Sequence, residues 1–322
     1  MKLARGVAAR TGQRHLCLAG GVALNCVANG KLQRAGIFDH LWMQPAAGDA
    51  GGALGAALVA AHGYGRDARQ VSTHGDAMSG SYLGPSYTTD EIARRLREAG
   101  AVFEVLGDDT LIERCARGLA EGQALGWHQG RMEFGPRALG GRSILGDARS
   151  PTMQKLLNLK VKYRESFRPF APSVLREHVA DWFDLDGDSP YMLLVADVLE
   201  RHRIAMTPEQ QLFGIDKLNV PRSGIPAVTH VDYSARIQTV HDDTNPRYHA
   251  LISRFNALTG CPVIVNTSFN VRGEPIVCTP EDAFRCFMGT ELDLLAVGNC
   301  LMHKPAQPQE LRERYEAKFD LD

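Results

Sequence analysis

Short runs of apolar residues, punctuated by Gly, Pro, Asn, Asp and Ser, alternate along the chain between a strand-like and a helix-like spacing. The strand-like runs predict β-structure at His15–Leu18, Leu41–Pro45, Val102–Leu106, Ala124–Trp127, Tyr191–Val198, Ala227–Asp232, Arg236–Val240, Cys261–Asn266 and, as the last strand, Leu292–Val297. Small residues from Gly51 to Ala61 predict a helix packed closely on a sheet, with Asp49 beside its N-terminus. A helix capped by Thr89 or Asp90 is expected to run through Ala99, where Gly100 ends it; another spans Asp109 to Glu121 ahead of Gly122. Ser150-Pro151 reads as a cap and first-turn proline for a helix to about Leu159, and Asn245-Pro246 as the same for a helix to Leu258, stopped by Gly260. Thr279 caps one more. This alternation predicts layered α/β packing. Gly63–Ser86 lacks apolar period and reads as a linker, Glu200–Gly224 as a long loop or lid, and the charged stretch from Gln309 as a solvated terminal helix.

Composition narrows the class. The 322 residues are 44% hydrophobic and 23% charged, ample for two ordinary domains or one large one. A pI near 6.8 argues against a general nucleic-acid binder. The seven cysteines are odd in number, scattered and never spaced as CxxC, which fits reduced thiols in a cytoplasmic protein. The longest small-apolar run, Ala53–Ala61, is far short of the ~18 residues of a membrane span, and the basic start lacks the apolar stretch of a secretory signal.

Charge is concentrated rather than spread. Between Arg131 and Arg176 ten Lys or Arg face only Glu133, Asp147 and Glu165, a local +7 in a chain whose balance is −1. The centre of that region, LKVKYRESFRPFAPSVL (159–175), joins its cations to rigid prolines and predicts a preformed anion site, with phosphate as the leading ligand. Upstream, Gly126–Ser143 carries five glycines with Arg131, Arg137 and Arg142, so backbone N–H groups and guanidinium forks can converge on one polyanion. Glu133 is placed to orient an arginine or to take a proton. Thr267–Asn270 (TSFN) follows a buried strand, where hydroxyl and carboxamide groups can bind a ligand or simply build a turn. Asp49 fits either a helix cap, which local sequence favours, or a metal ligand. His230 and Arg236 flank a short strand, and the eleven histidines form no HxxH or HxxxH pair.

Five stretches in this order, LAGGVALN, Gly48–Gly52, EFGPRALGGRS, KYRESFRPFAPSV and VNTSFN, resemble the O-carbamoyltransferase family, whose members act on nodulation signals and antibiotics. The resemblance covers nearly the whole chain. It implies the C-terminal part of an actin-like domain at 1–65, a linker at 66–83, a YrdC-like α/β domain at 84–304 and a charged tail at 305–322. It implies that ATP, with magnesium, activates carbamoyl phosphate as carbamoyl adenylate, and that the carbamoyl group then passes to a hydroxyl of a small-molecule acceptor near an iron ion. Carried over by motif, the activating site comprises Arg137, Lys162, Arg168 and Arg236 with Ser268 and Asn270. Gly20, Gly21 and Asn25 would lie on the nucleotide, and Asp49 would ligate metal, the reverse of the local preference.

The family's preceding stretch, with paired metal-binding histidines and a first nucleotide-binding hairpin, has no counterpart in these residues. The chain is thus expected to be the later part of such an enzyme, through truncation, gene splitting or gene damage, with the transfer step needing a separate N-terminal half. Two other classes stand beside this reading: a tRNA-modifying or RNA-binding module, and a non-catalytic partner subunit. Nucleotide-dependent pyrophosphate release separates the enzyme from the partner, and salt-dependent RNA binding marks the module.

Overall fold

The computed structural model describes residues 1–69, 77–166, 168–207 and 220–312; the middle of the expected linker (70–76), much of the expected lid (208–219) and the tail from 313 lie outside them. The first segment holds α1 (Lys2–Thr11), β1 (His15–Leu18), α2 (Cys26–Arg34), β2 (His40–Met43) and α3 (Asp49–Val59). β1 and β2 pair in parallel as a two-stranded sheet. Neither α1 nor α3 has a fully buried residue, although α3 is almost wholly apolar; its Leu54 packs partly buried beside Tyr191 and Leu193.

The remainder contributes α4 (Thr89–Glu98), β3 (Glu104–Val105), α5 (Asp108–Ala120), β4 (Leu125–His128), β5 (Arg142–Asp147), α6 (Met153–Leu156), β6 (Ala171–Leu175) and α7 (Val179–Trp182). After these come β7 (Leu194–Asp197), β8 (Ser234–Val240), α8 (Pro246–Thr259), β9 (Val263–Ser268), α9 (Pro280–Gly289), β10 (Leu294–Val297) and β11 (Cys300–His303). Nine strands form one mixed sheet in the order β3-β11-β10-β4-β5-β9-β6-β8-β7, parallel at β10–β4 and β6–β8 and antiparallel elsewhere. Its central strands β4, β5 and β10 are buried along their whole length, as strands covered on both faces must be. α5 packs on α8 against them, and α4 packs with α9. Trp127, Phe255, Phe269 and Phe287 fill the core at full burial. No helix among the described residues is long and apolar enough to cross a membrane.

The first segment docks through α2 on edge strand β7. Asn29 is buried and donates Nδ2 to Ala23 O (2.8 Å) and across to Leu193 O (3.0 Å), while Arg34 reaches Val195 O at 3.0 Å. Gly30 makes this approach possible, because a Cβ there would stand 2.3 Å from Val195 O.

Several local expectations change. Thr88, one residue ahead of the expected cap, closes a reciprocal box with Glu91. The Ser150-Pro151 start is a turn; α6 begins at Met153 and widens into a π-helical turn, Leu157–Val161. Ala227–Asp232 is a 3₁₀ turn at Pro226–Val228, because Pro226 supplies no ladder donor. Residues 142–147, read as the end of a Gly-rich loop, form the central strand β5, and β11 follows the strand expected to be last.

Candidate functional site

The loop between β4 and β5 is shaped from inside. Glu133 is buried, and its Oε1 accepts the N–H groups of Leu139 (2.6 Å), Gly141 (2.7 Å) and Arg142 (3.3 Å). From the other side, Gln238 donates Nε2 to Leu139 O (2.8 Å), Tyr82 donates to the same carbonyl (2.7 Å), and Asn266 donates to Ala138 O (3.1 Å). Gly140 sits at φ +102°, where a Cβ would strike the Tyr248 ring at 2.4 Å. The segment carrying Arg137 is therefore rigid, and Glu133 serves as its backbone clamp.

The three arginines of this loop do not converge. Arg142 is fully buried and spends its guanidinium on the carbonyls of Cys278, Gln129, Gly130, Gly141 and Pro85, which makes it a scaffold residue. Arg131 is exposed and reaches Gly84 O. Arg137 points inward; it donates Nη2 to Leu24 O (3.3 Å), and its Nε is buried with no partner.

Around Arg137 the separated cations do gather. Arg236, from β8, is held down to about 10 by burial and by the guanidiniums of Arg137 and Arg164. Arg164 is also pushed down to about 10, by burial and then by Arg168. Lys162 is buried, and burial together with Arg164 pushes it down to about 7. Oxygen acceptors oppose that shift: Lys162 Nζ donates to Ser268 O, to Ser268 Oγ (3.3 Å), to Asn270 O (2.9 Å) and to Asn270 Oδ1 (2.9 Å). β9 ends at Ser268 beside the entry to β5, the register pairing Ser143 with Ser268, so the TSFN turn faces the Gly-rich loop. Arg168 stands at the rim, half-exposed and paired with Glu165 at 3.0 Å. The expected set is thus continuous from Arg137 through Arg236 to Lys162, Ser268 and Asn270. Arg164 belongs to it too; the sequence shows it two residues after Lys162 in the same basic run, the only signal it offers.

The N-terminal residues abut the same place. Leu24, which accepts from Arg137, lies in the Gly20–Asn25 turn, and Asn25 caps α2 by accepting Ala28 N–H at 3.0 Å. Gly20 takes φ +91°, a conformation only glycine adopts readily, and Gly21 opens the 3₁₀ turn after it. Asp49 is the first residue of α3, with Gly48 in the cap position, so it is not the side-chain cap local sequence favoured. The described residues contain no group of three or more His, Cys, Asp or Glu able to hold a metal ion. His230 faces Ser234 Oγ at 3.0 Å. A cavity of about 710 Å³ opens between β2, the segment leading into β7 and the turn after β8, walled by Trp42, Tyr191, Asp188, His241 and Asp243.

Residues 116–304 match the family model described as Carbamoyltransferase C-terminus, and residues 1–58 the Carbamoyltransferase N-terminus. An uncharacterized protein of Synechocystis sp. is 61% identical over the whole chain and 53% of its own length. Nodulation protein NolNO of Sinorhizobium fredii is 43% identical over 93% of the chain and 41% of that protein. The 3'-hydroxymethylcephem-O-carbamoyltransferase of Amycolatopsis lactamdurans is 34% identical over 83% of the chain and 44% of that enzyme. The chain spans about half the length of the curated relatives it matches. Among solved structures, full-length HypF in its phosphate- and nucleotide-bound form shows a distant likeness (17% identity, TM-score 0.38, 62% of this chain and 22% of that one).

Proposed function

Because this chain belongs to the carbamoyltransferase family, we propose that its large-sheet unit, YrdC-like in our reading, converts ATP and carbamoyl phosphate to carbamoyl adenylate, for later transfer to an acceptor hydroxyl. The observation that supports this most is the cation cluster. Arg137 and Arg236 approach each other with no carboxylate partner for either among the described residues, and Arg236 is held down first by burial and then by the Arg137 guanidinium. Two such guanidiniums and an ammonium held below its usual range define a place for phosphate oxygens.

Each residue then has a role in the proposed reaction. Carbamoyl phosphate and ATP bring about six negative charges. Arg137, Arg164 and Arg236 hold phosphate oxygens, Arg168 meets the leaving group from the rim, and Lys162, steered by Ser268 and Asn270, sits where the carbamoyl end meets the α-phosphate. Water first takes the carbamoyl group of carbamoyl phosphate, giving carbamate and inorganic phosphate; a carbamate oxygen then attacks the α-phosphorus, the bond to the β-phosphate breaks, and pyrophosphate leaves with the electron pair. Arginine forks follow that charge onto the leaving group, which is electrostatic stabilisation of the transition state. Magnesium arriving with ATP would offset part of the phosphate charge beside Arg137, Arg164 and Arg236. The Gly20–Asn25 turn lies against Arg137 and is suited to the nucleotide end.

The transfer step is assigned to the actin-like part, of which residues 1–65 supply a fraction. These residues do not fit an iron ion: Asp49 offers one carboxylate, and a transition metal needs several donors. No step is routed through iron. The cavity beside Trp42 and Tyr191 would shelter the hydrolysis-prone carbamoyl group between the two parts.

The test is pyrophosphate release from ATP with and without carbamoyl phosphate. Release should depend on carbamoyl phosphate, and Arg168→Ala should slow it on the order of a hundredfold. Unchanged release in that variant would reduce Arg168 to a structural role.

A further inference from the structure

The arginine-bearing turn after Lys162 has no secondary structure of its own to hold it. Residues 162–166 and 168–170 are neither helix nor strand, yet they hold Arg164 and Arg168 close enough to repel one another. One side chain supplies that hold. Asn158 is fully buried inside the π-helical turn, where the wider coil brings Lys162 N–H back to Leu157 O at 2.9 Å. Its own carbonyl accepts Arg164 N–H at 3.1 Å. Its Oδ1 accepts Arg164 Nε at 2.7 Å, and its Nδ2 donates to Ser166 O (3.1 Å) and Arg168 O (2.9 Å).

Resting on the anion-site reading above, we infer that Asn158 is a positioning residue that aims Arg164, and through the Ser166 and Arg168 carbonyls the whole turn, at the anion. The chemistry explains the residue type. The position needs one acceptor facing a guanidinium and two donor protons facing two carbonyls, all on a short stem. Aspartate provides no donors, leucine of similar size provides nothing, and glutamine is a methylene too long. Arg164 is also braced from its far side, its guanidinium lying 5.1 Å from the centre of the Phe170 ring. With Nε held by Asn158 and one face on Phe170, the two Nη groups are presented as a fixed fork. Asn158 touches no substrate in this arrangement; it acts by removing the entropy that a free loop would lose on binding.

The experiment is calorimetric titration of the full chain with inorganic pyrophosphate, for the unsubstituted protein, Asn158→Ala, Arg164→Ala and the double variant. Thermal melts confirm that each is folded. Asn158→Ala should weaken pyrophosphate binding about tenfold, the scale expected when a charge-assisted contact is misaligned. In the Arg164→Ala background the same substitution should cost less than threefold, because its main target is gone. An equal loss in both backgrounds would mean general loosening and would overturn the inference, as would an Asn158→Ala protein that binds as tightly as the unsubstituted one. If Asn158→Ala does not fold, Asn158→Asp, which keeps the volume but not the donors, takes its place in the same cycle. An unsubstituted chain that fails to bind pyrophosphate would instead remove the anion-site reading, and this inference with it.

Discussion

At the residue scale the clearest case is Lys162, an ammonium held near neutrality with oxygens on one side and a guanidinium on the other. Its folded pKa lies below its unfolded value, so the unfolded chain binds more protons between about pH 7 and 10.5. Stability from this group therefore rises with pH across that window and is lowest below pH 7; a melting-temperature difference against Lys162→Met should shrink as pH rises through it. A bound phosphate favours the charged lysine, so the pyrophosphate affinity of the unsubstituted chain should fall above pH 7 relative to Lys162→Met, whose profile reflects the ligand alone. Glu133 makes the opposite point. The sequence left open a proton-transfer role, but three N–H groups on one carboxylate oxygen describe a clamp. Glu133→Gln, which can still present an oxygen to all three, should keep most pyrophosphate release. Glu133→Ala should cost about 3 kcal/mol in denaturant unfolding and lose the activity with it, through orphaned donors. A Glu133→Gln protein that is folded and inactive would restore the proton-transfer role.

At the scale of elements, the proposed anion site is built where three irregular segments meet sheet ends, which also explains what the sequence could convey. Helices with strong caps were legible: Asn245 with Pro246 and Gly260 bounds α8, and Thr279 bounds α9. Strand β5 was hidden because its residues, RSILGD, follow four glycines and an arginine-rich run, and its burial on both faces erases any alternation. The π-helical turn was hidden too, since nothing in LNLKV distinguishes a wide coil from an ordinary one. Arg137 and Arg236 lie near each other, and Lys162 bonds Ser268 and Asn270, although their motifs stand far apart in sequence; sequence cannot tell a guanidinium facing carbonyls, as Arg142 does, from one facing a ligand. Element packing carries a prediction of its own. β8 bears Arg236 in a crowded positive field, so Arg236→Met should raise the melting temperature of the ligand-free chain while lowering pyrophosphate affinity. A variant that melts lower and binds equally would show that the guanidinium is structurally satisfied.

At the scale of the whole molecule, two unequal parts meet at α2 and β7. The large sheet has a continuous core, whereas α1 and α3 hold no fully buried residue and α3 packs Leu54 only partly buried beside Tyr191 and Leu193. Gly30→Ala, by forcing a Cβ onto Val195 O, should release the first segment to limited proteolysis while the large sheet keeps its near-ultraviolet signature. Equal protease resistance in that variant would show that other contacts hold the segment. On the proposed reading, adenylate formation belongs to the large-sheet unit and should proceed without any acceptor. The most direct measurement is exchange of labelled pyrophosphate into ATP, which reports reversible formation of an adenylate without any acceptor. The account predicts exchange that requires carbamoyl phosphate and is lost in Lys162→Met and Arg137→Ala. Exchange that is absent from the unsubstituted chain, or indifferent to carbamoyl phosphate, would contradict it.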